Sequence, residues 1–230
     1  MSDQVETSTD LLGGTTRRLT PHIYFSEEIR ELLGAAQRLP SRNGLRGATY
    51  AAFFGLIAAT GLRLSEAIHL RSSDVDLAAG VLTVRQTKYG KTRAVSLHPT
   101  TARALRQYAC VRNRKIPAPS SDFFFLSARG AVLDSRTVQY TFGRLRKQLG
   151  WVGRGSYLLP RIVDLRHSFI CRRLLSWYQH GINVDNAITA LATYVGHSAI
   201  TGTYWYLTGI PELMAIASRR FKRLATGASR

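Results

Sequence analysis

From Ser26 to Phe221 the apolar residues recur mainly at helical spacing. That period gives way to alternation over one short pair of runs, Val81–Arg85 and Thr92–Leu97. Such a chain cannot build a β-sandwich, a barrel or a repeating βα sheet, which need many strands or strict strand–helix alternation. The pattern predicts one mainly α domain with a small three-stranded antiparallel sheet. Ser26 is placed to cap a helix carrying Ile29, Leu32 and Leu33. Thr49–Ala59 reads as a fully buried helix ended by Gly61, and Ser65 is placed to cap a short helix with Ala67, Ile68 and Leu70. Val81–Arg85 and Thr92–Leu97 form a hairpin with Lys88 and Lys91 at its tip. Pro99 opens a further helix, and Phe123–Leu126 supplies the third strand. Asp134 or Ser135 starts a helix with Val138, Phe142, Leu145 and Leu149 on one face. Residues 164–179 and 184–195 read as two more, and Pro211 heads a last one through Met214, Ala217 and Phe221. The polar, aperiodic residues 1–20 are expected to be disordered, with a short tail at 226–230.

Charge narrows the function. Lys and Arg number 32 against 14 Asp and Glu, a formal net charge of +18 with a pI near 10.9. Arginine supplies 27 of the 32 bases, and its planar fork matches phosphate oxygens. Between Leu77 and Ser121 there are nine bases and no acid, and between Ser135 and Val163 six bases and no acid. An ordinary solvated surface mixes signs. A polyanion is the implied partner, most simply nucleic acid, with a ribosome or an anionic membrane as the weaker explanations. No apolar stretch is long enough to span a bilayer, and no signal-peptide pattern opens the chain. Cys110 and Cys171 sit in apolar helical settings and read as reduced core thiols.

Phosphate-binding loops, nucleophile elbows and zinc-binding helix motifs are absent from the sequence. The acids beyond residue 31 are Glu66, Asp74, Asp76, Asp122, Asp134, Asp164, Asp185 and Glu212. They are too scattered for a two-metal nuclease. Phosphodiester chemistry by this chain therefore needs cationic side chains where other enzymes use a metal ion, and no cofactor or small-molecule substrate is expected. Three segments carry suitable groups: Thr60-Gly-Leu-Arg63-Leu-Ser-Glu66, then Lys88-Tyr-Gly-Lys91, then a C-terminal set. That set comprises Asp164-Leu-Arg166-His167, Gly196-His197 and Thr203-Tyr204-Trp205-Tyr206. In this order they closely resemble the catalytic domain of the tyrosine recombinase, or phage integrase, family over residues 21–225.

The resemblance implies a site-specific recombinase that acts on double-stranded DNA and works without metal or ATP. A tyrosine hydroxyl attacks a DNA phosphodiester and stores the bond as a 3′-phosphotyrosyl link. Tyr206 is the implied nucleophile, with Tyr204 as the competing choice. Arg63 and Arg166 would fork onto the non-bridging oxygens and His197 would hydrogen-bond the same phosphate. Lys88, with Lys91 as its rival, matches the acid that protonates the leaving 5′-oxygen. Glu66 is placed to orient Arg63, Asp164 to cap the helix bearing Arg166, and His167 to support the core or a phosphate. Arg85, Lys91 and Arg93 are the hairpin's expected DNA contacts.

Two departures stand beside the match. The family's histidine three residues before the second arginine is Val163 here. A lost general acid or base costs about 10²–10⁴-fold in rate, so cleavage is expected to be impaired, and Asp164 points elsewhere. The helical core-binding domain that usually precedes the catalytic one has no counterpart in the roughly twenty leading residues, and is taken as absent. The alternative reading is therefore a non-catalytic DNA-binding remnant or regulator of a mobile element. A homo-oligomer on DNA through the C-terminal helix, and a cytoplasmic, nucleoid-associated location in a bacterium, complete the expectations.

Overall fold

The computed structural model describes residues 19–85, 92–197 and 199–209. Its helices are α1 (Ser26–Gln37), α2 (Leu45–Thr60), α3 (Leu64–Ile68), α4 (Pro99–Lys115), α5 (Ser135–Gln148), α6 (Val163–Gln179), α7 (Val184–Val195) and α8 (Thr201–Gly209). Its strands are β1 (Val75–Asp76), β2 (Val81–Val84) and β3 (Arg93–Ser96). The chain is thus mostly helical with one three-stranded antiparallel sheet.

Helix α2 is the organising element because, Arg46 apart, it is apolar over most of its surface. Leu45, Tyr50, Phe53, Phe54, Leu56 and Ile57 are all buried, and α1, α4 and α6 pack against it. It begins four residues earlier than the periodicity predicts, at Leu45. Gly47 permits this: a Cβ there would lie 2.3 Å from the Gln37 carbonyl oxygen, where the end of α1 crosses closely. The sheet hangs on the main core by alternation, with Leu82 and Val84 of β2 buried and Val95 of β3 buried opposite Leu82. The hairpin is as expected, but its third strand is Val75–Asp76, paired Val75 to Leu82 and Asp76 to Val81. Phe124, Phe125 and Leu126 are buried in succession and thread the core, making only isolated bridges at Phe123 and Leu126. They cannot alternate as a strand with one solvated face would.

Two helix starts also differ from expectation. Ser26 and Ser65 lie inside their helices, and the caps are formed by glutamates reaching back. Glu28 accepts from the Phe25 N–H at 2.7 Å, and Glu66 accepts from the Arg63 N–H at 2.9 Å. Asp134, rather than Ser135, caps α5 by accepting from the Thr137 N–H at 2.7 Å. On α4 the inward face is Ala102, Leu105 and Tyr108, so Cys110 falls off it and is exposed, whereas Cys171 is buried.

A second, smaller apolar cluster joins α6, α7 and α8 through Phe169, Ile170, Leu174, Val184, Leu191, Val195 and Tyr206. Helix α6 therefore faces α2 and the main core on one side and carries the C-terminal helices on the other. Among the described residues no helix is long and apolar enough to cross a membrane. The expected helix from Pro211, the tail, residues 1–18, Lys88 and Lys91 all lie outside the described residues.

Candidate active site

The site assembles where α2 and α7 both end. Each terminates in a left-handed glycine, Gly61 at φ 69° and Gly196 at φ 71°. That conformation turns the last carbonyls outward, where the helix leaves them without intrahelical donors. Two arginines from distant parts of the chain occupy these ends. Arg166, on α6, donates through Nη1 to the Gly61 carbonyl at 2.6 Å and through Nη2 to the Val195 carbonyl at 2.8 Å. Arg63, at the start of α3, donates through Nη2 to the Gly196 carbonyl at 2.5 Å. The negative ends of two helix dipoles thus seat two cations side by side.

Arg166 is 5% exposed. Its burial and the neighbouring Arg63 charge pull its pKa down to about 10, against the pull of Glu66 and Tyr206. It remains cationic at neutral pH. Arg63 is more open, with a third of its side chain accessible. A guanidinium carries five N–H donors, so the carbonyl bonds orient both forks and leave capacity for phosphate oxygens.

Glu66 stabilises this pair. Its carboxylate receives the Arg63 N–H and Arg63 Nη1, both at 2.9 Å, as expected for an orienting group. It also receives Nη1 and Nη2 of Arg93 at 3.0 and 2.8 Å. Burial alone would raise the Glu66 pKa; the Arg93 fork and the Arg63 N–H outweigh it and hold the carboxyl below its ordinary value. Arg93 needs correction as a DNA contact. Its side chain is only 9% exposed and turned inward, donating through Nε to the Tyr194 carbonyl at 2.8 Å. It ties β3 to Glu66 and to α7. Arg85, by contrast, has more than half of its side chain exposed and meets the buried Asp74 at 2.5 Å. It stands with Arg63 and Arg71 on the wall of a polar cleft of about 920 Å³.

Tyr206, on α8, is 2% exposed, while Tyr204 is 37% exposed. The Tyr206 hydroxyl lies 2.6 Å from Nδ1 of His167. The His197 ring lies parallel to the Tyr206 ring, with centroids 6.3 Å apart. His197 follows the Gly196 turn, and its Nδ1 lies 2.6 Å from the Thr203 hydroxyl. The structure thus brings together Arg63, Glu66, Arg166, His167, His197 and Tyr206, with Arg93 beneath them.

Asp164 is fully buried and accepts from the Arg161 N–H at 2.8 Å and from Arg161 Nη2 at 2.8 Å. It secures the start of α6 by reaching back, and its charge is spent on Arg161. Val163 opens α6 and is 45% exposed. Sequence reasoning missed three contributors: Thr203 beneath His197, the carbonyls of Gly61, Val195 and Gly196, and Arg172. The last donates to the Ala58 carbonyl at 3.2 Å, near the same end of α2. Backbone acceptors carry no side-chain signature, and only the glycines at the helix ends hinted at them. Among the described residues no group of three or more His, Cys, Asp or Glu is placed to hold a metal ion.

Comparison with known proteins shows the family. A family profile described as the phage integrase family matches residues 25–209. A putative integrase/recombinase, y4rB, of Sinorhizobium fredii (strain NBRC 101917 / NGR234) is 41% identical over 217 residues. The alignment covers 93% of this chain and 69% of that relative. The tyrosine recombinase XerC of Roseiflexus sp. (strain RS-1) is 33% identical over 196 residues, covering 83% of this chain and 54% of the relative. The chain therefore spans from about half to about two thirds of the length of such relatives. Among solved structures, the XerA recombinase superposes with a TM-score of 0.64 at 25% identity, covering 81% of this chain and 60% of that one. The Tn1549 transposon integrase in complex with transposon right end DNA gives a TM-score of 0.65 at 23% identity, covering 94% and 69%.

Proposed function

Because this chain belongs to the phage integrase family, whose members include tyrosine recombinases similar to it, we propose that it breaks and rejoins double-stranded DNA through a 3′-phosphotyrosyl intermediate at Tyr206. Residues 21–225 act as the catalytic domain. The observation that carries the reading is the meeting of two guanidinium groups, 103 positions apart in sequence, at the ends of α2 and α7, with the residue after Arg166, His167, in contact with the Tyr206 hydroxyl.

The chemistry follows from the charges. In-line attack by the Tyr206 oxygen spreads negative charge over the non-bridging oxygens of a phosphorane-like transition state. Arg63 and Arg166 are already oriented by helix-end carbonyls, so they stabilise that charge with little reorganisation. His197 adds a hydrogen bond to the same phosphate. Lys88 protonates the leaving 5′-oxygen. The bond energy is kept in the tyrosyl ester, and a 5′-hydroxyl later reclaims it. Arg85 and Lys91 contact the duplex beside the site. Assembly on DNA uses residues 211–230 against a second copy, and the protein works in the cytoplasm on nucleoid DNA.

The test is a nicked suicide duplex, in which cleavage releases a short fragment and traps the intermediate. The wild type should give an SDS-resistant protein–DNA adduct, and Tyr206→Phe should give none. A silent wild type, or an adduct that survives Tyr206→Phe, would count against the proposal. One observation favours a second reading, DNA binding without chemistry: Tyr206 is almost fully buried while Val163 cannot carry a proton. On that reading the wild type is silent, and Val163→His restores the adduct.

A further inference from the structure

We infer that His167 is the group that takes the proton from Tyr206, and so replaces the histidine that Val163 displaces. The inference rests on the strand-cleavage reading above. Three observations carry it. The first is contact: Nδ1 of His167 lies 2.6 Å from the Tyr206 hydroxyl oxygen, within direct proton-transfer reach. His197, the neighbouring histidine, instead holds its Nδ1 on the Thr203 hydroxyl at 2.6 Å.

The second is helical geometry. Val163 and His167 are four residues apart on α6, so their side chains leave the same face one turn apart. An imidazole at residue 167 therefore serves the region that one at residue 163 would serve, reached from the next turn. Arg166, the residue before, points about a quarter-turn away toward the ends of α2 and α7. One turn of one helix thus delivers both the phosphate cation and the proton acceptor. The third is restraint. The Tyr206 ring is bracketed by His167, by the parallel His197 ring and by Trp205 at 5.1 Å. These rings pack around Tyr206 on the side where its hydroxyl meets Nδ1 of His167.

The step balances as follows. His167 begins neutral with its proton on Nε2, and the Tyr206 hydroxyl donates to Nδ1. As the Tyr206 oxygen bonds to phosphorus, its proton passes to Nδ1. The bond from phosphorus to the 5′-oxygen breaks, and that oxygen takes a proton from Lys88. In rejoining, the 5′-hydroxyl attacks and gives its proton back to the neutral Lys88 amine, the tyrosyl–phosphorus bond breaks, and the imidazolium returns its proton to the phenolic oxygen.

The experiment compares wild type and His167→Asn on two suicide duplexes. One has the natural phosphodiester; the other has sulfur in place of the scissile 5′-oxygen. A leaving thiolate needs no proton, so the sulfur duplex isolates the nucleophile's proton from the leaving group's. Asparagine keeps an acceptor oxygen near the Nδ1 position but is too weak a base to take the proton. His167→Asn should form adduct about 10²–10⁴-fold more slowly on both duplexes, with DNA affinity unchanged. A Lys88→Ala variant should recover on the sulfur duplex alone. His167→Asn matching wild type on the sulfur duplex would overturn the inference.

The wild type offers a second measurement that survives any folding defect in the variant. Its rate on the sulfur duplex should fall as pH drops through the imidazole range, about pH 8 to 5. The charged and titratable groups sharing the site are Arg63, Arg93, Arg166, Glu66 and a second imidazole, His197; Glu66 is held below its ordinary value and Arg166 near 10, both outside that window. His197, parallel to the Tyr206 ring, is separated by His197→Asn, in which the fall with pH should persist. A flat profile would also overturn the inference. A wild type silent on both duplexes removes strand cleavage itself, a result distinct from an active enzyme indifferent to His167.

Discussion

Replacing Glu66 with glutamine should unseat the cationic site without touching a residue proposed to meet phosphate. The carboxylate is 6% exposed and receives four N–H groups, two from Arg63 and two from Arg93. Glutamine keeps one acceptor oxygen, but its amide N–H₂ then faces guanidinium donors, and the cations of Arg63, Arg93 and Arg166 lose the negative charge among them. Removing one partner of a buried ion pair costs about 3–5 kcal/mol. The value here should sit near 3 kcal/mol, because Arg63 is a third exposed and partly screened. In a chain of this length each kcal/mol moves Tm by about 2–4 °C, so Glu66→Gln should melt about 6–12 °C lower.

The diagnostic is a double-mutant cycle with Arg93→Met, read by thermal melts and urea titration. Arg93→Met alone leaves the Tyr194 carbonyl without its Nε donor and Glu66 with Arg63 only. With both changes made Arg63 and Arg166 still face each other, but the third cation leaves together with the carboxylate, and the pair should be less damaging than the sum of the singles by about 2 kcal/mol. A Glu66→Gln loss below about 1 kcal/mol, or strict additivity, would refute the view that this ion triad holds α3, β3 and α7 together.

Further outcomes follow from the same geometry. Arg166→Lys should abolish adduct formation by at least about 10²-fold while leaving duplex affinity within a few-fold, since an ammonium cannot span the Gly61 and Val195 carbonyls as a fork does; gel shift and suicide-duplex assays separate the two effects. Gly61→Ala should cost about 2 kcal/mol, because φ is 69° and the new Cβ would sit 2.6 Å from the Phe169 ring; an unchanged melt would show that the turn is not required. The folded-state pKa of Glu66 is depressed, so its stabilisation is full above the ordinary carboxylate value of 4.5 and is lost as pH falls through the lower folded value. Wild type should therefore lose more stability than Glu66→Gln between about pH 5 and pH 3, and parallel curves would contradict the assignment.

Much of the architecture was open to sequence reasoning because it depends on local period. Alternation at Val81–Val84 against Arg93–Ser96 announced the hairpin, and the all-apolar run before Gly61 announced a buried central helix. The short β1 strand escaped because two residues carry no period. Phe123–Leu126 misled because aromatic residues threading a core resemble those of a strand. Arg93 misled for a related reason: in a segment that also carries Arg85, Lys88 and Lys91, nothing in its neighbours marks it as the buried partner of a glutamate 27 positions earlier.

The order of residue types along the polymer was enough by itself to establish helical dominance, the phosphate-loving charge and the family resemblance, since each depends on composition or near-neighbour spacing. Only folding decided which cation points where. Arg63, Arg93 and Arg166 are chemically alike. What separates them is which helix-end carbonyl or carboxylate lies within hydrogen-bond reach, a distance set by how α2, α6 and α7 pack. The contact between His167 and Tyr206 is of the same kind, joining residues 39 positions apart through the seat of one helix on another.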